Sequence, residues 1–173
     1  MAYNLRAASE SDLGSLCTIR NHEGIFRKYL NQQKQGDIYF TAAEQDGRIT
    51  GFGLLKLSGK AGPKLSDLYV QESSRGKGAG SALIRYQEEL ARKLGYSELF
   101  VSVDPLDNPR MMQLITRLGY QAVTEPYLRT AVFYKEDGTE YETTYTRVDL
   151  HKRLNEHPAS GNVEGSTDRG KQE

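Results

Sequence analysis

Long apolar runs are missing from these 173 residues: the longest fall far short of the roughly 20 that a helix needs to cross a bilayer, so no membrane-spanning role is expected. Net charge is missing as well. Lysine and arginine number 23, aspartate and glutamate 23, and no block of one sign stands out, which removes the electrostatic footprint of a nucleic-acid or membrane-surface partner. Cysteine is reduced to Cys17, so no internal disulfide can form, and its place on an apolar stripe with Leu13 and Leu16 favours packing over nucleophilic chemistry. The 3 histidines, His22, His151 and His157, show no metal-ligand spacing, and no metal site is expected. The opening MAYNLRAASE has no signal-peptide core, so the expectation is a soluble cytoplasmic protein. The length suits one domain with a well-buried core.

What the chain does have is glycine in an informative place. Residues 65–80, LSDLYVQESSRGKGAG, join a strand-like run containing Leu65, Leu68, Tyr69 and Val70 to a helix through a polar loop. From Ala79 on, the apolar residues Leu83, Tyr86, Leu90 and Leu94 recur at helical spacing, and Gly95 stops the helix. Gly76, Gly78 and Gly80 leave its first turn bare on one side, so unpaired backbone N–H groups and the helix dipole can meet one anion. Arg75 and Lys77 add positive charge at the rim, which suits two adjacent phosphates better than one carboxylate. The plainer alternative is an ordinary glycine-rich turn. A P-loop is excluded because Gly76-Lys77 is followed by Gly78, and a dinucleotide fingerprint because the glycines alternate after a polar loop.

The pattern that fits is R-x-x-G-x-G, filled by Arg75, Gly78 and Gly80 after the strand LYV and before an amphipathic helix. Here the chain resembles the GNAT superfamily of N-acetyltransferases. Asn108 and the run LITRLGYQAV over 114–123 extend the resemblance, which covers roughly residues 3–150. It implies that Arg75, Gly76, Lys77, Gly78, Ala79, Gly80 and Ser81 cradle the pyrophosphate of acetyl-coenzyme A. It also implies that Leu68, Tyr69 and Val70 lie on a splayed strand whose backbone pairs with the pantetheine arm. Asn108 matches a position whose side chain often bonds that arm or a nearby water, with an N-cap or turn role before Pro109 as the alternative.

In chain order, residues 3–8 read as a first strand with Arg6 facing out, and Ser9 as an N-cap answered by Asp12, opening a helix over 10–20. Residues 21–35 read as a second helix; in the resembling family this region lies over the acceptor site, so Phe26 and Tyr29 are candidates for lining it, with core packing the alternative for Phe26. Two strands, 37–43 and 48–57, flank an Asp46-Gly47 hairpin turn, and Gly51 and Gly53 within the second suggest a bulge or a close backbone approach. A strand over 98–103 is expected to pair in parallel with the one over 65–70. A helix over 110–118 ends at Gly119, an extended region from Tyr120 to Tyr134 is broken by Pro126, and a strand over 141–150 returns from a turn at Gly138. The expected fold is a single-domain α/β mixed sheet, mostly antiparallel, with a central splayed parallel pair and helices on both faces. The domain is assigned to 1–153 and a disordered tail, poor in apolar residues, to 154–173.

The implied activity is transfer of an acetyl group from acetyl-coenzyme A, as cosubstrate, to a primary amine of a small molecule or peptide by direct attack. Homodimerisation is compatible with this reading. A backbone N–H near Val70, beside Tyr69, is the candidate donor to the acyl carbonyl. The family's usual acid, a tyrosine in the last helix, is replaced by Ile115; Tyr127 and Tyr134 are candidate substitutes, and Tyr134 is carried as the catalytic candidate. A glutamate of some relatives is replaced by Lys64, leaving Asp67 and Glu72 as the nearest carboxylates. Asp67, in phase with Tyr69, is carried as the candidate base, facing acceptor or solvent. A second reading, motivated by Ile115 and Lys64, is a catalytically weak acyl-coenzyme A-binding or regulatory module. A generic mononucleotide-binding domain is the third.

Overall fold

The computed structural model describes residues 2–57, 59–60 and 62–155. Strand β1 (Asn4–Ala7) leads through a 3-10 turn (Glu10–Asp12) into α1 (Leu13–Ile19), and α2 (Glu23–Lys34) follows. Strands β2 (Ile38–Gln45), β3 (Arg48–Lys56) and β4 (Lys64–Val70) then form an antiparallel meander. Helix α3 (Ala79–Lys93) crosses over to β5 (Glu98–Val103), α4 (Pro109–Arg117) precedes the short β6 (Gln121–Ala122), and β7 (Tyr127–Tyr134) turns back into β8 (Glu140–Arg153). The sheet order is β1-β2-β3-β4-β5-β8-β6, with β7 added on the first half of β8. All pairs are antiparallel except β4 with β5. The fold is therefore a single α/β domain with one parallel strand pair at the centre of a mixed sheet. Among the described residues no helix is long and apolar enough to cross a membrane.

Two apolar layers hold it. On one face α1 and α2 bury Leu16, Phe26, Phe40, Phe52 and Leu54; on the other α3 and α4 bury Ile84, Leu99, Val101, Ile115 and Leu150. The Asp46-Gly47 turn has both residues at positive φ, 52° and 76°, the backbone twist that a tight hairpin needs. Gly51 is a close approach, because a Cβ there would stand 2.8 Å from the Tyr69 carbonyl oxygen.

Several boundaries moved for physical reasons. The first helix begins as a 3-10 turn, capped as expected by Ser9, whose N–H donates to Asp12 Oδ2 at 2.8 Å. Arg6 is not directed outward: it donates to Asp12 at 2.7 and 2.9 Å and to Glu44 at 3.2 Å, tying β1 to the turn and to β2. On α3 the buried face is Leu83, Ile84, Gln87, Glu88 and Ala91, while Leu94 is 44% exposed, so the expected apolar stripe is rotated by two polar residues taken inside. The domain also runs past 153. Leu154 is buried and its N–H donates to the Ser97 carbonyl at 2.8 Å, so it belongs to the core; the tail expected from 154 on otherwise lies, from 156, outside the described residues.

The Asp12 carboxyl is held below the usual carboxylate range, first by the Arg6 guanidinium against the opposing effect of burial, then by the Ser9 amide. A lowered native value means that the stabilisation is present above about pH 4 and is lost as pH falls further. Asp12→Asn is expected to lower stability by about 1–3 kcal/mol at neutral pH. Its deficit relative to wild type should shrink below pH 4 in denaturant titrations; a pH-independent deficit would contradict the ion pair as its source.

Candidate active site

The parallel pair is the origin of the site. β4 and β5 pair only at Lys64 with Phe100 and Leu65 with Val101, and beyond that they diverge. The cause lies on β4, where Gly53 of β3 faces two residues, Asp67 and Leu68, between the matched pairs Leu54–Ser66 and Phe52–Tyr69. The bulge puts Asp67 at φ 44°, bends the strand and leaves its β5-facing edge without a strand partner.

Past Val70 the chain passes through a short 3-10 turn (Glu72–Ser74) to the glycine loop. Gly76 and Gly78 have φ 79° and 97°, with open space where a Cβ would point. Gly78 is the N-cap of α3, and the first bond of the helix runs from Ala82 N–H to the Gly78 carbonyl at 3.0 Å, so the amides of Ala79, Gly80 and Ser81 precede the helical ladder. Gly80 serves a different purpose: a Cβ there would stand 3.1 Å from Leu114 Cδ2, so glycine lets α4 close against α3. A cavity of about 500 Å³ lies over this helix start. Its walls include Leu68, Tyr69, Val70, Arg75, Gly76, Gly78, Ala79, Gly80, Ser81 and Asn108, so the residues expected from sequence to hold the cosubstrate come together there with one exception. Lys77 does not line it, and its backbone carbonyl instead accepts the Tyr3 hydroxyl at 3.1 Å.

Sequence reasoning missed Ser74, Arg110, Gln113 and Arg117, which line the same cavity. Arg110 and Arg117 stand seven apart on α4, a spacing close to two helical turns, which could have marked them. Together with Arg75 they make the cavity's charge positive. Arg75 Nε donates to the Val70 carbonyl at 2.8 Å and its guanidinium lies 5.4 Å from the Tyr69 ring centroid, which fixes it at the rim. Asn108 is the N-cap of α4, its side chain accepting from Met111 N–H at 3.2 Å, and it faces the cavity as well.

A second cavity of about 250 Å³ occupies the strand gap itself, sharing Leu68, Asn108 and Met111 with the first. Asp67 borders it. This carboxylate is not a solvated strand-edge group: Arg20 donates to both of its oxygens at 2.9 and 3.0 Å, and the Tyr29 hydroxyl donates to Oδ2 at 2.5 Å. Burial and then the Asp67 charge push the Tyr29 hydroxyl well above its ordinary value, so it stays a donor. Phe26 is core, fully buried against Phe40 and Phe52. Lys64 lies at the start of β4, half-buried, with its ammonium held below the usual range by burial and by Arg147.

The aromatic acid is not found where the sequence left room for it. Ile115 is fully buried in the core, Tyr134 is 56% exposed near the end of the β7–β8 ribbon and borders neither cavity, and the Tyr127 hydroxyl is committed to Asp149 at 2.7 Å. Among the described residues no cluster of His, Cys, Asp or Glu could hold a metal.

A strand splayed by a bulge, followed by a glycine-capped helix under a cationic cavity, is matched by sequence: the model of the acetyltransferase (GNAT) family covers residues 5–120. The chain belongs to the GNAT acetyltransferase family. Solved GNAT structures share its fold. An N-acetyltransferase from Staphylococcus aureus Mu50 superposes with a TM-score of 0.70 at 19% identity, covering 90% of this chain and 100% of that one. A putative acetyltransferase from Salmonella typhimurium, solved with its cofactor acetyl-CoA, gives 0.67 at 20% identity over 91% and 97% of the two chains. A GNAT superfamily phosphinothricin acetyltransferase from Sinorhizobium meliloti, in complex with AcCoA, gives 0.69 at 19% identity over 92% of each.

Proposed function

We propose that this GNAT protein transfers an acetyl group from acetyl-coenzyme A to a primary amine of a small molecule or peptide. The observation that carries the reading is the continuity between the glycine-lined cationic cavity and the open edge of β4. The amides of Ala79, Gly80 and Ser81, with Arg75 and the α4 arginines, suit a pyrophosphate, and the unpaired edge at Leu68, Tyr69 and Val70 suits an amide-bearing arm laid along it.

The bound thioester supplies an activated acyl carbon: the amine nitrogen bonds to it as the C–S bond breaks, and the coenzyme leaves as a thiol. The strand gap holds the reacting atoms, and a backbone N–H near Val70 is one donor to the acyl oxygen. Asp67 faces the gap with three of its roughly four acceptor positions taken by Arg20 and Tyr29, which leaves about one for the amine. We assign it the orienting of the amine and acceptance of its proton in the transfer. With Ile115 in the core, water protonates the leaving thiolate.

The test is thiol release from acetyl-coenzyme A across a panel of primary amines. Wild type is expected to turn over at least one amine class. Asp67→Asn should lower kcat/KM for that amine by tenfold or more while leaving coenzyme A affinity within twofold. An inert wild type that still binds acetyl-coenzyme A would instead establish the acyl-coenzyme A-binding module, the reading that buried Ile115 and exposed Tyr134 favour.

A further inference from the structure

Gln87 is the least expected residue on the inner face of α3. It is 1% exposed, and its Nε2 is shielded from solvent without a hydrogen-bond partner. An amide buried in this way lowers stability relative to an apolar side chain of the same size, so nothing in packing accounts for it. Its position does. The carboxamide lies over the bulge: a Cβ on Gly53 would stand 3.3 Å from its Nε2, 3.4 Å from its Oε1 and 3.0 Å from Leu68 Cδ1. The same side chain walls the 250 Å³ cavity between the diverging strands, together with the apolar Leu65, Ile84 and Val101 and the charged Asp67, Asp104, Asp107 and Arg147.

Among the described residues none accepts from that N–H group, and a ligand in the cavity can supply the acceptor. Two carboxylates that border the same cavity accept bonds from elsewhere: Asp67 from Arg20 and Tyr29, and Asp104 Oδ1 from the amides of Leu106 and Asp107 at 3.0 Å each. A carboxamide is nearly symmetric in shape, so a half-turn about its last torsion exchanges Oε1 and Nε2 with little change in packing and presents the donor to the cavity.

We propose that Gln87 donates from Nε2 to the acyl carbonyl oxygen of the bound thioester, making it the residue by which this site tells an acylated coenzyme from the free thiol. The proposal rests on the coenzyme reading above. As the amine adds and the C–S bond breaks, the carbonyl oxygen gains and then loses negative charge; Gln87 keeps its proton throughout and strengthens its hydrogen bond while the charge is present.

Gln87→Met keeps the length of the side chain and removes the donor. Calorimetry on wild type and variant, with acetyl-coenzyme A and with coenzyme A, separates this role from a structural one. The variant is expected to bind acetyl-coenzyme A about three- to tenfold more weakly, the range of one neutral hydrogen bond, with coenzyme A affinity within twofold of wild type. Its ligand-free Tm should rise, since the unpartnered amide is gone. Gln87→Leu provides the same comparison if the methionine variant fails to fold. Equal losses for both ligands, or no loss for either, would overturn the proposal while leaving the coenzyme site intact. A wild type that binds neither ligand would overturn the coenzyme reading itself, and this proposal with it.

Discussion

A Gly78→Val protein is expected to bind coenzyme A more than tenfold more weakly than wild type. Gly78 caps α3 at φ 97° and lines the cavity over the helix start, and a Cβ built on it meets nothing within 4 Å. A branched side chain there fills the volume that a pyrophosphate needs and pushes it from the amides of Ala79, Gly80 and Ser81. The positive φ also costs the fold something: a β-branched residue in this region carries about 1–2 kcal/mol of strain. Gly95 supplies the control, because it sits at φ 92° past the other end of the same helix, also with nothing within 4 Å of a built Cβ, and away from both cavities. Gly95→Val should therefore lose similar stability in thermal denaturation and retain coenzyme A affinity. Equal binding losses in the two variants would place the effect in the fold rather than the cradle.

Lys152→Met is expected to lower unfolding stability by about 3 kcal/mol. Glu88 is 3% exposed on the inner face of α3, and its charge is balanced by Lys152 Nζ from β8 at 3.0 and 3.2 Å and by the Tyr120 hydroxyl at 2.8 Å. Removing the lysine leaves a buried carboxylate with one neutral donor. Burial and then the Glu88 charge raise the Tyr120 hydroxyl above its ordinary value, so the phenol cannot replace a cation. Adding Glu88→Gln to Lys152→Met should restore most of the loss, because the charge is gone and the Tyr120 donor still has an acceptor. Urea denaturation of the single and double variants reads this directly; an unaltered midpoint in Lys152→Met would show that solvent already neutralises Glu88.

Those residues mark where reading from the sequence stopped. The glycine loop was legible because its chemistry is local: positive φ at Gly76 and Gly78 and a bare helix start depend on residues adjacent in the chain. The Asp46-Gly47 turn, the cap at Ser9 and the stop at Gly119 were legible for the same reason. The inner face of α3 was not. Apolar periodicity selected Leu94, which is exposed, and passed over Gln87 and Glu88, because what makes a polar side chain acceptable inside is a partner far off in sequence or a ligand. Glu88 meets Lys152 across 64 residues, and Asp67 meets Arg20 across 47, so neither pair leaves a local pattern. The phase of Asp67 with Tyr69 was readable from strand alternation, but its engagement by Arg20 and Tyr29 was not. The family motif picked out residues that, Lys77 apart, meet around one cavity, but the position it names for the acid, Ile115, is one that this chain fills with core.

The central claim is that acetyl-coenzyme A lies along the open edge of β4 with its phosphates on the start of α3. Amide hydrogen exchange of the protein with and without saturating acetyl-coenzyme A tests it most directly. Slowed exchange should be confined to Leu68, Tyr69 and Val70 and to the loop and helix start from Gly76 to Ser81, with ATP at the same concentration protecting neither segment. Protection absent from the β4 edge, or equally strong with ATP, would contradict the account.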